Sequence, residues 1–387
     1  MASLLANDGK KKTIFFFIPA FRSCAILRAR PDAGCHRDVN KLSALSCGRV
    51  VACISAIHSF SMRREITIDP AKLSYSRNLR IAGVRGRLLT NSRRLVETLR
   101  CWDAADAGGS SAGFAMHVLA DGGGRADVAP PHFRGLKHIV IASFGERNLF
   151  VFDLERRHVT AAVSEATAGD GNFWNRIVLP ITMGVLGPAV GVVPVHAACV
   201  AIEGEGALIA GASGAGKSTL SIAMAQRGFG YLSDDWTYLS VEGGRLRAHG
   251  MGVPAKLLPD ALQHFPFLTE YRVGIALNQE PAYEVPAEKI GAQVENACEP
   301  RWFFFLERYG KKGSFVEPVS PEEAQSYVER SVERLPPELD DSIRTRSAIV
   351  KRISRLSCWR LGYAGPPEIA VAALQEFFTN QSKGIAV

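Results

Sequence analysis

Gly211-Ala212-Ser213-Gly214-Ala215-Gly216-Lys217-Ser218 is the stretch on which the fold turns. The spacing Gly-x-x-x-x-Gly-Lys-Ser places glycines where the backbone must fold back, so that successive N–H groups point inward at a β-phosphate. Its flanks meet the context that this chemistry requires. Ala207-Leu208-Ile209-Ala210 reads as a buried strand, and Lys217 to Gln226 reads as a helix stopped by Gly228 and Gly230. A helix opening at Gly216 adds the positive end of its dipole. Gly211, Ala212, Ser213, Gly214, Ala215, Gly216, Lys217, Ser218 and Thr219 are therefore expected to hold the phosphates of ATP or a close relative. Lys217 would reach β- and γ-phosphate oxygens, and the Ser218 hydroxyl would face Mg2+.

Working outward, Val195-His196-Ala197-Ala198-Cys199-Val200-Ala201-Ile202 reads as one strand, and Glu203-Gly204-Glu205-Gly206 as a turn into the strand before the loop. Beyond the helix, Tyr231-Leu232 makes a short strand ending at Ser233-Asp234-Asp235. Strand, glycine loop, helix and a strand ending in acid form one βαβ-type unit. An acidic pair at a strand end is elsewhere just a solvated turn or a helix cap. Here it follows directly on the loop helix, where one carboxylate can hold Mg2+ and the other can take a proton from an attacking hydroxyl. His196 reads equally as a core residue of an apolar strand and as a neighbour of the phosphates.

The net charge of +8 would suggest a nucleic-acid or acidic-membrane partner. Its location argues otherwise. Residues 1–64 hold eleven Lys and Arg against three Asp, a surplus equal to that of the whole chain, so residues 65–387 are neutral. Neither nucleic acid nor a membrane is expected as a partner. Cys24, Cys35, Cys47 and Cys53 lack any metal-ligand rhythm. Lys10-Lys11-Lys12 before Ile14-Phe15-Phe16-Phe17-Ile18-Pro19-Ala20-Phe21 resembles a signal peptide. The apolar run ends at Arg22, short of the ~20 residues that span a bilayer. Residues 1–61 are read as a disordered extension or a mis-assigned start, with Met62-Arg63-Arg64-Glu65 opening the folded protein. No later segment is expected to span a membrane, and the cytoplasm is the expected location.

Residues 62–170 are read as a small α+β domain. It has helical spacing at 91–102, loops at Asp106–Gly113 and Asp121–Gly124, and strands at His138–Ala142 and Asn148–Asp153. Residues 171–387 are read as an α/β P-loop domain with C-terminal helices. Within it, 172–188 is a buried helix kinked or ended near Pro180, and His264 to Pro300 is irregular. Trp302-Phe303-Phe304-Phe305-Leu306 is a buried strand, with helices near 320–333, 340–356 and 366–378. The basic 340–356 stretch (Arg344, Arg346, Lys351, Arg352, Arg355) reads as a solvated helix face.

From Val195-His196 through the loop to Gln226-Arg227-Gly228 and Ser233-Asp234-Asp235, the sequence resembles the catalytic core of HPr kinase/phosphorylase over about 45 residues, 194–239. The resemblance implies a PEP-carboxykinase-like P-loop fold and ATP- and Mg2+-dependent phosphorylation of a serine on a protein or peptide. Carried over by position, His196 and Lys217 match active-site residues, Ser218 a metal ligand, and Asp235 the general base. Asp234 stands beside it, the carboxylate of the pair that would hold Mg2+. The family's hexamers imply a homo-oligomer. The downstream Glu-x-Arg-Gly-x-Gly run of the bifunctional enzymes is absent, and Gly250-Met251-Gly252-Val253-Pro254-Ala255-Lys256 stands there instead. That departure leaves the phosphorylase reaction, HPr itself and a second metal ligand without a sequence warrant. Phe303-Phe304-Phe305-Leu306-Glu307-Arg308 onward to Arg360-Leu361-Gly362-Tyr363 looks more like the HPr-kinase-related proteins encoded beside peptide-modification genes. In lasso-peptide pathways such kinases phosphorylate the C-terminal serine of a precursor peptide. An HPr serine kinase, a small-molecule kinase and a non-catalytic ATP-binding module stay open as alternatives. A transport ATPase or a GTPase does not, since neither a Leu-Ser-Gly-Gly-Gln nor an Asn-Lys-x-Asp motif occurs.

Overall fold

The computed structural model describes residues 50–53, 65–68, 70–104, 112–122, 129–276, 280–308, 313–332, 335 and 339–383. The signal-like run 10–21, most of the segment 1–61 and the centres of both glycine-rich loops lie outside these residues. Within 1–61, Val50–Cys53 (β1) pairs antiparallel with Glu65–Ile68 (β2).

Seven strands then form a mixed sheet. They are Tyr75–Ile81 (β3), Val84–Thr90 (β4), Phe114–Asp121 (β5), His132–Leu136 (β6), Ile139–Phe144 (β7), Asn148–Asp153 (β8) and His158–Ser164 (β9), in the order β3-β4-β5-β9-β8-β7-β6. Only β4-β5 and β5-β9 run parallel. Strict alternation of buried and half-buried residues along β5, β7 and β8 marks a sheet with one packed face. The helix Arg93–Thr98 (α1), capped by Ser92, matches the helical spacing read at 91–102.

After β9 the chain turns helical. Glu165–Ala168 (α2) and Gly171–Phe173 (α3) lead into a π turn at Trp174–Val178, then Leu179–Leu186 (α4) and a 3-10 turn at Gly187–Val190. Pro180, which has no N–H to donate, falls at the start of α4, just where the ladder changes from π to α. Gly171–Val190 is long and apolar enough by length and composition to cross a bilayer, a candidate that the sequence reading did not single out. Most of it is buried inside the protein. Phe173 and Trp174 pack edge-on against Phe144 and Phe150 (centroids 5.2 and 5.9 Å apart), so this helical run shares the core of the N-terminal sheet.

A second, larger sheet holds the glycine loop. Val192–Val195 (β10), Ala197–Ile202 (β11), Glu205–Gly211 (β12), Gly230–Ser233 (β13), Thr237–Glu242 (β14) and Arg245–His249 (β15) belong to it. Ala255–Leu257 (β16), Gly274–Ile275 (β17) and Pro281–Val285 (β18) make a separate small sheet, and β17 and β18 lie in the stretch 264–300 expected to be irregular. Ala297–Arg308 (β19) is the central strand of the large sheet, whose path is β10-β14-β15-β19-β12-β11-β13. Gly313–Pro318 (β20) pairs with Ser357–Ala364 (β21), which runs parallel to β19. The sequence reading missed β21.

Alternate residues of β11 and β12 feed two different cores. Ala198, Val200, Ala207 and Ile209 face Lys217–Ala225 (α5), while Ala197, Cys199, Leu208 and Ala210 face Pro321–Ser331 (α6) and Asp340–Ile353 (α7). Pro367–Ser382 (α8) covers the α5 side with Leu374, Phe377 and Phe378. Burial on both faces explains why these strands read as continuous apolar runs. The chain is thus a mixed α/β protein with several sheets.

Candidate active site

The loop follows β12 directly and α5 begins at Lys217. Gly214 (φ +77°) and Gly216 (φ +100°) take left-handed backbone conformations that side-chain-bearing residues rarely adopt. Gly211 is needed for a different reason. A Cβ there would lie 2.6 Å from the Leu306 carbonyl oxygen of β19, so the loop leaves the sheet in close backbone contact. Lys217 is buried and folds back over the loop, its Nζ donating to the carbonyls of Gly211 (3.1 Å) and Ala212 (3.4 Å).

His196 does not lie within a strand. The single strand expected at 195–202 is two, because at His196 the chain leaves β10, paired with β14, and enters β11, paired with β12 and β13. Asp234-Asp235-Trp236 makes the matching crossing between β13 and β14. The crossings are tied together by Thr237, whose hydroxyl donates to the Ala197 carbonyl (2.8 Å) while Ser233 Oγ lies 2.6 Å from it. The His196 amide donates to the Ser331 carbonyl at the end of α6 (2.8 Å). Side by side, the crossings bring His196 Nε2 to 2.8 Å from Asp235 Oδ1 and stack the imidazole flat on Trp236, with ring centres 5.0 Å apart.

The two carboxylates differ in surroundings. Asp234 is buried, with Oδ1 accepting from the Tyr231 hydroxyl and Oδ2 from the Lys256 amide, both at 3.0 Å. Burial, with the charge of Asp235 next, pushes the Asp234 carboxyl up to about 6, against the pull of these hydrogen bonds. Asp235 keeps 45% of its side chain exposed. Burial raises its carboxyl too, but the His196 hydrogen bond and charge, with Lys217 and Lys256, outweigh this and hold it below the usual carboxylate value. At neutral pH Asp235 is therefore ionised.

Ser218 stands between loop and acid pair, its hydroxyl donating to the Asp234 backbone carbonyl (3.4 Å). Among the described residues no group of three or more His, Cys, Asp and Glu converges on one point. The donors present are one hydroxyl and two carboxylates. That set fits Mg2+, which in phosphoryl-transfer sites takes one or two carboxylates and completes its shell with phosphate oxygens and water.

A cleft of about 390 Å³ opens on the acid pair. Asp234, Asp235, Trp236 and Lys256 line it, with Phe173 and Arg176 of the helical run opposite. Arg176 is ion-paired with Glu284 of β18, and Lys256 Nζ lies 3.0 Å from Glu280. Residues 211–218 do not line this cleft. Lys217, Ser218, Asp234, Asp235 and His196 are brought together, while Lys256, Trp236 and Tyr231 join them without having been singled out. The basic helix α7 is not simply solvated. Arg346 donates to the Glu329 and Val332 carbonyls, and Arg352 to the Gly244 carbonyl, fastening the helix to its neighbours.

No protein-family profile matches the chain, and no curated protein does. Among solved structures, that of the Hpr(Ser) kinase/phosphatase from Coxiella burnetii is similar over 49% of this chain and 93% of that one, at 15% identity and a TM-score of 0.28.

Proposed function

We propose that this chain is an ATP- and Mg2+-dependent phosphotransferase that moves the γ-phosphate to a serine hydroxyl on a peptide or protein. The observation that carries the reading is the position of Asp235. It follows Asp234, whose backbone carbonyl accepts from Ser218 of the glycine loop, and it lines a cleft that residues 211–218 do not line. A base placed between a phosphate-binding loop and a separate cavity serves transfer between two substrates. The sequence resemblance between residues 194 and 239 supports the same chemistry, and within it the C-terminal serine of a lasso-type precursor peptide is the proposed acceptor.

In this reading residues 211–219 bind the triphosphate through backbone N–H groups, and Lys217 leaves the Gly211 and Ala212 carbonyls for phosphate oxygens. Mg2+ held by Ser218 and Asp234 would neutralise charge on the phosphates. Asp235 accepts the serine proton as the new O–P bond forms, and His196, fixed by its stack on Trp236, orients that carboxylate.

The test is mass spectrometry of a peptide ending in serine, and of HPr, after incubation with the full-length protein and ATP·Mg2+. One phosphate on the peptide is expected. In Asp235→Asn, transfer should fall about 100- to 10,000-fold while ATP affinity is kept. Lys217→Ala should lose both. Transfer undiminished in Asp235→Asn would remove Asp235 as the base, and modification of HPr alone would replace the peptide as acceptor.

A further inference from the structure

The cleft beside Asp235 holds a cation that the phosphate loop does not supply. Lys256 is the last residue of the segment Gly250-Met251-Gly252-Val253-Pro254-Ala255-Lys256, which lies hard against β13. A Cβ on Gly250 would sit 2.5 Å from the Leu232 carbonyl oxygen. The Lys256 amide is pinned by Asp234 Oδ2 at 3.0 Å, so the backbone that carries this lysine is registered to the acid pair itself. Its side chain lines the cleft with Asp235 and rests on Glu280 at 3.0 Å. That ion pair is partly exposed on both sides, with side chains 29% and 40% accessible, and pairs of this kind are weak and readily exchanged.

We infer that the cleft is the acceptor site and that Lys256 is its catalytic cation, contacting the transferring phosphoryl group from within the cleft. The inference rests on the phosphotransfer reading above. As the acceptor oxygen attacks, the O–Pγ bond forms, the Pγ–O bond to the β-phosphate breaks with its electron pair leaving on ADP, and the acceptor proton passes to Asp235. Charge then gathers on the equatorial phosphoryl oxygens.

The cleft also bounds the acceptor. At about 390 Å³ it lies at the small end of ligand pockets, about 300–1,000 Å³. Phe173, Ile177, Pro180 and Val253 give it apolar walls. It suits an alcohol on a residue-sized, partly apolar group. That group is either a free hydroxylated small molecule or the end of an extended chain, and not the broad face of a folded domain.

The experiment compares wild type with Lys256→Met, Lys256→Arg and Val253→Trp, the last placing an indole in the cleft from a half-buried position. Thermal melting checks folding, and calorimetry gives ATP·Mg2+ affinity. ADP release to water is followed alone, and then with free L-serine or a heptapeptide ending in serine. ATP affinity is expected to stay within about twofold in all three variants. Turnover should fall about 100-fold in Lys256→Met, be partly restored in Lys256→Arg, and fall in Val253→Trp. Which alcohol becomes phosphorylated identifies the source. Unchanged turnover in both Lys256→Met and Val253→Trp overturns the inference, as does loss of ATP binding in them, which would make the cleft part of the nucleotide site. A wild type that neither binds nor turns over ATP instead defeats the phosphotransfer reading itself.

Discussion

Asp234 and Asp235 are neighbours in sequence that titrate apart, because one is buried among donors and the other stands beside cations. The consequence for stability can be signed. The Asp234 carboxyl is raised from 3.8 to about 6 in the folded protein. Its contribution is therefore fully present below pH 3.8 and is lost as pH climbs to about 6, by at most about 3 kcal/mol. Asp235, held low, acts in the opposite sense, being stabilising above pH 3.8 and less so as pH falls. In Asp234→Asn the first contribution vanishes. Whatever the constant offset from the altered hydrogen bonds, the melting temperature of the variant should rise relative to wild type between pH 4 and 7. A parallel pair of curves would refute this account of Asp234. Lys217, Ser218 and the acid pair were legible in the sequence because spacing alone fixes them around one loop. Lys256 and Trp236 were not, since they matter through contacts 22 and 40 residues away in the chain, Lys256 N–H to Asp234 and Trp236 on His196, and no local pattern announces such contacts.

At the scale of elements, the loop depends on strand β12 lying against β19 with no side chain between them at Gly211. Gly211→Ala should lower stability and weaken ATP binding together, because the new methyl meets the Leu306 carbonyl at 2.6 Å and the strands must part. Gly184→Ala in α4 is the contrast. A Cβ there meets nothing within 4 Å, and the helix should gain about 0.5–1 kcal/mol in chemical denaturation. The same strands show where reading by pattern stops. Apolar runs flanking the Gly145 turn gave β7 and β8 near their observed bounds, and apolar runs likewise gave the centres of β12 and β19. The run 195–202 has no polar break except His196, so periodicity joins two strands that pair with different partners. β21 escaped because it is a single strand between two helical stretches, although Trp359, Leu361 and Tyr363 alternate with Arg360 and Gly362 along it. It is held by β19 and β20.

At the scale of the molecule, the helical run 171–190 belongs to two structures at once. Phe173, Trp174, Ile177 and Leu179 fill the core of the N-terminal sheet, while Phe173, Arg176 and Ile177 also wall the cleft. A chain begun at Gly171 would expose several of these side chains, each worth about 1.5–3 kcal/mol when buried. It should be insoluble or self-associate in light scattering, whereas a soluble monomer that binds ATP would show that the cleft wall stands without the N-terminal sheet. The two chain crossings at His196 and at Asp234-Asp235-Trp236 carry a different implication, one about length. Turns such as Glu203-Gly204 or Gly243-Gly244 sit at the ends of hairpins, where extra residues extend outward and disturb little. A single residue added within either crossing would instead rotate everything after it by half a pleat, turning His196 away from Asp235 or Asp235 away from its cleft. Insertions at the hairpin ends should therefore leave the His196–Asp235 contact in place, while the two crossings, one and three residues long, should tolerate no change of length.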